Sequence, residues 1–346
     1  MTIMAAAAAE STTPETLSRA ARGGDARAMT AIGKRLLGGV DEPMDVKGGA
    51  AWISAAAERD EPEALCLHAT LLAMGALASP DWPAAFAQLE RAAILGSSEA
   101  RAQFELMADE IPREGREPLE WRGVGKQVDL LAWRTAPARR PLWEAPRVRM
   151  AEAFVSPAVC DWLRGRASGR MRPALMYHAD VKAEVVDPHR TCSDYQFDLI
   201  NTDLVLLLVR ERIAALTKLP TIAMEPPRVF HYALGEKIKP HFDRCNDGVE
   251  GYGVDTGYLG DRIVTFLLYL NDDFEGGELE FPKTGFRCRG AKGDAVYFSH
   301  VDQTGEPDPL SLHAGLEIIR GEKWVLSQWI HDRPFGAPEP GRGRAG

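Results

Sequence analysis

From Leu17 to about residue 110, apolar and small positions recur in one register. Leu17, Ile53 and Leu89 are spaced by 36 residues, as are the pairs Ala20-Ala21, Ala56-Ala57 and Ala92-Ala93. Ala28, Ala64 and Ala100 keep the same period, and so do Gly24, Asp60 and Gly96; Gly39 pairs with Gly75, and Asp45 with Asp81. A fixed period of this length predicts stacked helix–turn–helix units. The alanines let paired helices approach closely, and the glycines suit the turns. The expectation is a short α-solenoid over residues 14–110, with two full repeats and a partial third.

After about Pro146 the pattern changes. Residues 155–167 read as a helix with Ser156 as N-cap and Pro157 at its first position. Residues 203–217 read as a second, amphipathic helix. Beyond Pro226 the apolar runs become short and β-branched, predicting strands at 228–232, 238–242, 263–270, 277–281, 294–299, 313–319 and 323–330. Turn signals separate them, among them Asn271-Asp272-Asp273, Gly276-Gly277, Lys292-Gly293-Asp294 and Arg320-Gly321-Glu322. Many short strands at this spacing predict a jelly roll or barrel. The fold class expected is therefore multidomain: an N-terminal all-α helical repeat and a C-terminal α+β domain with a jelly-roll core over residues 145–335. Residues 111–144, rich in Pro, Arg, Glu and Trp without a clean period, read as a linker. The tails 1–13 and 336–346 read as disordered on composition.

Composition narrows the partners. The chain has 346 residues, 45% of them apolar, and a formal charge of −9, which argues against non-specific binding to nucleic acid or to an anionic membrane. Its five cysteines are scattered, with no C-x-x-C spacing, so a disulfide framework and a structural zinc are not expected. The alanine run at the start lacks a basic leader, and no stretch reaches the roughly 18 apolar residues of a membrane span. A cytoplasmic location is the expectation.

The candidate chemistry lies in two stretches. His241 and Asp243 are two apart, so a strand would turn both side chains to one face. A distal histidine, His313, lies 72 residues on. Two imidazoles and a carboxylate are the ligand set of a non-haem Fe(II) site with open positions. His300-Val301-Asp302 is a second copy of the triplet, but the 13 residues from His300 to His313 leave no room for intervening strands, and it is set aside. Taken alone, His313 could equally be a hydrogen-bonded core histidine. Lys323 and Trp329 are six apart on one expected strand and share a face. A lysine beside a large aromatic there suits an anion pocket, the alternative being an exposed lysine at a strand start.

Two family resemblances follow. The pattern A-A-x-x-G-x-x-x-A, then L-x-x-G, over about residues 14–110 resembles Sel1-like repeats, relatives of the tetratricopeptide family, and implies a module that binds protein partners. From His231 through His241-Phe242-Asp243, the stretch Y-x-x-G-x-x-x-x-x-H-x-D resembles the prolyl 4-hydroxylase family of Fe(II)/2-oxoglutarate dioxygenases. Arg262-Ile263-Val264-Thr265, Gly276-Gly277-Glu278-Leu279-Glu280-Phe281-Pro282, Lys292-Gly293-Asp294-Ala295, Ser311-Leu312-His313-Ala314-Gly315 and Gly321-Glu322-Lys323-Trp324-Val325 follow in the family's order, over about residues 145–333. Arg190-Thr191-Cys192 resembles the family's R-T-S segment, with Cys in place of Ser.

This second resemblance implies a double-stranded β-helix with Fe(2+) on His241, Asp243 and His313. It implies Lys323 as the salt-bridge partner of the far carboxylate of 2-oxoglutarate, helped by the hydroxyls of Tyr232 and Thr265, with Trp329 as a wall. O2 would be consumed, and L-ascorbate is the usual reductant. The sequence departs from the family in the Gly-rich segment 244–260, which could serve as a lid, and in lacking proline after Ala314-Gly315. The leading expectation is a hydroxylase of a peptidyl residue, proline first, its protein or peptide substrate recruited by the repeats. Hydroxylation of a free amino acid or other small molecule is the alternative, and an interaction scaffold with an inactive jelly roll is the alternative of another class.

Overall fold

The computed structural model describes residues 14–41, 43–76, 78–110, 119–178, 183–186, 190–244 and 260–335. Both expected disordered tails and nearly all of the 244–260 segment lie outside the described residues. By its contacts the chain forms two compact units, one of Met1–Asp129 with Asp198–Leu207, the other of Leu130–Phe197 with Leu208–Gly346.

Among the described residues, six α-helices lie wholly within the first unit: α1 (Pro14–Arg22), α2 (Ala26–Gly38), α3 (Val46–Ala57), α4 (Pro62–Met74), α5 (Trp82–Ile94) and α6 (Ser98–Asp109). Each packs against the next. The 36-residue period reappears in their ends. Asp25, Glu61 and Ser97 cap α2, α4 and α6, each side chain accepting from the amide three residues on at 3.0, 2.6 and 3.2 Å. Asp45 and Asp81 do the same for α3 and α5 at 2.8 and 2.9 Å. Each such cap is worth about 1 kcal/mol and fixes where its helix begins.

The positions Gly24, Asp60 and Gly96 all have positive φ, at 97°, 62° and 96°. The repeat therefore keeps a left-handed turn residue even where it is not glycine. Between α2 and α3 glycine serves close approach instead. A Cβ at Gly33 would lie 2.7 Å from Ile53 Cδ1, and one at Gly49 would lie 2.7 Å from Leu37 Cγ.

The second unit is built on two main antiparallel sheets. The larger runs, edge to edge, through Arg140–Trp143, Val148–Ala151, Ala295–Ser299, Arg262–Tyr269, Lys323–His331, Arg228–Tyr232, Ser193–Gln196 and Arg172–Pro173. The smaller runs through Phe286–Cys288, Leu279–Phe281, His313–Gly315 and Ile238–His241. Phe230, Phe281, Phe298, Val296 and Trp329 from both sheets share one core. The chain order is that of a double-stranded β-helix, in which non-consecutive strands pair. One such pairing sets His313 opposite His241.

Three expectations are refined. The expected strand 313–319 is two pieces, because Ile318–Arg320 leaves the smaller sheet to pair with Glu275–Gly276. The helix Leu204–Thr217 is not amphipathic at its start: Leu204, Val205, Leu206, Leu207, Leu208 and Val209 are all buried. Where a linker is expected, Gly123 and Gly125 donate to the Glu90 carboxylate of α5 at 2.7 and 3.4 Å, and Arg140–Trp143 forms the edge strand of the larger sheet. No disulfide joins the described cysteines. Among the described residues no helix is long and apolar enough to cross a membrane.

Candidate active site

His241 ends the strand Ile238–His241, and His313 begins the neighbouring one, with ring centroids 4.3 Å apart. Asp243 lies beyond the strand end, so its approach does not come from strand alternation as expected, yet its carboxylate meets both rings. Oδ1 is 3.5 Å from His241 Nε2, and Oδ2 is 3.4 Å from His313 Nε2. Ligand atoms of all three lie within 4.8 Å of one another. Cis ligands at about 2.1 Å from an octahedral ion stand roughly 3 Å apart, so the three would draw together on a cation.

The outer nitrogens are already committed. His241 Nδ1 donates to Lys239 O at 2.9 Å, and His313 Nδ1 donates to Ser311 O at 3.0 Å. Each ring then turns its Nε2 toward the carboxylate. Burial, followed by the neighbouring His313, lowers the basicity of His241. Burial alone would raise the Asp243 carboxyl, but the imidazoles of His313 and His241 outweigh it and hold it well below the usual range. Two imidazole nitrogens and a carboxylate gathered at one point fit a divalent cation.

One pocket joins this trio to the co-substrate candidates. Along Lys323–His331, alternate residues Lys323, Val325, Ser327 and Trp329 line it, with Phe230 and Tyr232 from one flanking strand and Thr265 and Leu267 from the other. Lys323 is only 5% exposed. Its ammonium donates to Gly277 O at 2.7 Å and lies 5.6 and 5.4 Å from the Tyr232 and Tyr269 rings. Among the described residues no carboxylate comes within ion-pair range of it. Burial lowers its pKa to about 8. A buried ammonium held by one carbonyl and two ring faces fits an incoming carboxylate.

The other expected residues divide. Tyr232 faces the pocket beside Lys323, whose ammonium lies over its ring. Thr265 also faces the pocket, but its hydroxyl, expected at the co-substrate end, instead donates to Asp243 Oδ2 at 2.5 Å. Trp329 forms a wall, edge-on to Phe230 at 6.0 Å, with the Arg262 guanidinium 4.1 Å over its ring. Glu225 grips Arg262 at 2.5 and 3.0 Å and meets His331 Nε2 at 2.7 Å. Burial would raise the Glu225 carboxyl, yet Arg262 and His331 bring it down to about 2.

Three contributors went unassigned in the sequence. Arg190 lines the pocket with its guanidinium 4.4 Å over Phe230, and its Nε has no partner. The Arg190-Thr191-Cys192 stretch was its signal. The Glu225–Arg262 clamp has none, since its members are 37 residues apart. His300, set aside as a ligand, is fully buried with Nε2 2.7 Å from Thr265 Oγ1.

A jelly roll gathering two imidazoles, a carboxylate and a buried lysine defines a class of metal- and co-substrate-dependent enzymes, and comparison with known proteins agrees. The model of the 2OG-Fe(II) oxygenase superfamily matches residues 227–331. Probable prolyl 4-hydroxylase 6 of Arabidopsis thaliana is 32% identical over 233 residues, covering 62% of this chain and 79% of that protein. Among solved structures, the viral collagen prolyl hydroxylase of Paramecium Bursaria Chlorella virus-1 covers 53% of this chain and 94% of that one at 22% identity and a TM-score of 0.40. A Sel1 repeat protein of Oxalobacter formigenes covers 27% of each chain at 32% identity and a TM-score of 0.25.

The chain belongs to the prolyl 4-hydroxylase family of 2-oxoglutarate- and Fe(II)-dependent oxygenases. Membership implies Fe(2+), 2-oxoglutarate and O2. The donor set suits Fe(II), and the buried Lys323 suits a dicarboxylate.

Proposed function

We propose that this dioxygenase hydroxylates a peptidyl residue, proline, with decarboxylation of 2-oxoglutarate to succinate and CO2. The observation that supports it best is that a single pocket holds both His241, Asp243 and His313 and the buried Lys323, in a chain 32% identical to a plant prolyl 4-hydroxylase.

In this reading His241, Asp243 and His313 hold the iron. Lys323 pairs with the far carboxylate of 2-oxoglutarate, with the Tyr232 hydroxyl and the Arg190 guanidinium beside it. When bound, the iron and its co-substrate supply the oxidising chemistry that places one atom of O2 in a C–H bond. Val325, Leu267 and Phe230 keep water from that end of the pocket. Trp329, clamped by Arg262 and Glu225, holds one wall fixed. Asp243 offsets part of the cation's charge. L-Ascorbate serves as reductant, and the helical repeats recruit the protein substrate.

The test is mass spectrometry of proline-containing peptides after incubation with the full chain, Fe(II), 2-oxoglutarate and ascorbate. The expected product gains one oxygen atom on proline, in step with succinate. Turnover coupled only to a free amino acid would overturn the peptide reading. If the repeats recruit, an intact protein substrate shows a lower KM than a short peptide cut from it.

A further inference from the structure

We propose that His300 is a positioning residue of the metal centre, acting through Thr265 on the carboxylate of Asp243. The inference rests on the reading that His241, Asp243 and His313 hold the ion.

The observation is a continuous chain of three buried side chains. His300 Nε2 lies 2.7 Å from Thr265 Oγ1, which lies 2.5 Å from Asp243 Oδ2. Its polarity is fixed by chemistry. The ionised Asp243 can only accept, so the Thr265 hydroxyl donates to it. The hydroxyl has no second hydrogen, so it accepts from His300, and Nε2 must carry the ring proton. Nδ1 is then the bare nitrogen, and it has no partner. Hydrogen bonds aligned in one direction polarise one another, so the donor strength offered to Asp243 exceeds that of an isolated threonine.

His300 is well held for this task. It follows the strand Ala295–Ser299; its amide donates to Ile263 O at 2.9 Å, and its carbonyl accepts from the Asp308 amide at 2.9 Å. Its ring meets Phe298 edge-on at 5.1 Å. For packing alone a phenylalanine would serve better, because it leaves no buried nitrogen without a partner.

Asp243 in turn needs restraint. It lies past the end of its strand, where no ladder orients it. The Arg262 guanidinium donates to its carbonyl at 3.3 Å and fixes the backbone. The Thr265–His300 pair fixes the carboxylate.

The test is anaerobic titration of the full chain with Co(II), read by ligand-field absorption, with thermal melting alongside. His300→Phe is expected to stay folded, to weaken Co(II) binding about 10- to 100-fold and to change the band shape. Thr265→Val should match it, the double variant should lose no more than either single one, and Thr265→Ser should behave as the unmodified protein. His300→Gln, which keeps a donor, should recover part of the loss. Unchanged affinity and spectrum in His300→Phe would overturn the positioning role. Should that variant fail to fold, the Thr265→Val and Thr265→Ser pair decides by the same criterion. Failure of the unmodified protein to bind Co(II), or undiminished binding by Asp243→Ala, would overturn the metal-site reading instead.

Discussion

His241-Phe242-Asp243 and His300-Val301-Asp302 share one spacing, and each begins where a strand ends. In the first copy both side chains converge: Asp243 is 7% exposed and lies against two imidazoles. In the second they part. His300 turns inward and is fully buried, while Asp302 turns out and closes a turn, accepting from the Thr304 amide and hydroxyl and from the Glu306 amide at 2.8, 2.7 and 3.1 Å. The triplet does not make the site. What differs is the strand opposite, which brings His313 to one copy, and Val301 pairing with Pro307 in a short loop at the other.

The sharpest break of this comparison is Asp243→Ala. It removes the anion from between two Nε2 atoms, so Fe(II) binding and 2-oxoglutarate turnover are expected to fall below detection, as succinate release would measure. Lys323→Ala comes next. Losing a buried cation that pairs with a carboxylate costs about 3 kcal/mol, so KM for 2-oxoglutarate should rise roughly a hundredfold while Fe(II) affinity holds. The same lysine sets a pH limit. Its pKa is lowered to about 8. Only the ammonium attracts the co-substrate, so kcat/KM for 2-oxoglutarate is level below that pH and falls about tenfold per unit above it. A flat profile up to pH 10 would refute the anchoring role.

Glu225→Gln tests the wall between the two ends of the pocket. It leaves the buried Arg262 without its carboxylate and should destabilise the fold by about 3 kcal/mol in urea unfolding at neutral pH. Because the folded-state pKa of Glu225 is depressed to about 2, its contribution is complete above the ordinary glutamate range and fades as the pH falls toward 2. The gap between variant and unmodified protein should shrink in that window.

These sites were legible to different degrees for physical reasons. The repeat unit writes its geometry locally: caps at Asp25, Glu61 and Ser97 and turn residues at Gly24, Asp60 and Gly96 recur at one period, so register alone exposes them. In the jelly roll, alternation along one strand suffices to place Lys323 and Trp329 on one face. Which residue stands across from His241 depends on pairing between distant strands. The destination of the Thr265 hydroxyl depends on which partners the folded chain brings within its reach, Asp243 and His300, which no pattern of residue types encodes. Arg262 with Glu225 is invisible for the same reason, since neither end carries a motif. The 36-residue match to a known repeat also could not show that segment 198–207 joins the helical unit.

The smallest expected effect is also the cleanest control. Asp302 sits in the triplet as Asp243 does, and its carboxyl too is held below the usual range, in its case by the Thr304 hydroxyl and amide. Yet those partners belong to its own exposed turn, and local bonds of this kind shape a loop without reaching a site. Asp302→Ala should leave metal affinity, kcat and the KM for 2-oxoglutarate unchanged and lower the melting temperature only slightly. A loss of Co(II) affinity in this variant would mean that the second copy communicates with the metal centre through its loop as well as through the His300 ring. The contrast drawn between the two triplets would then fail at its base.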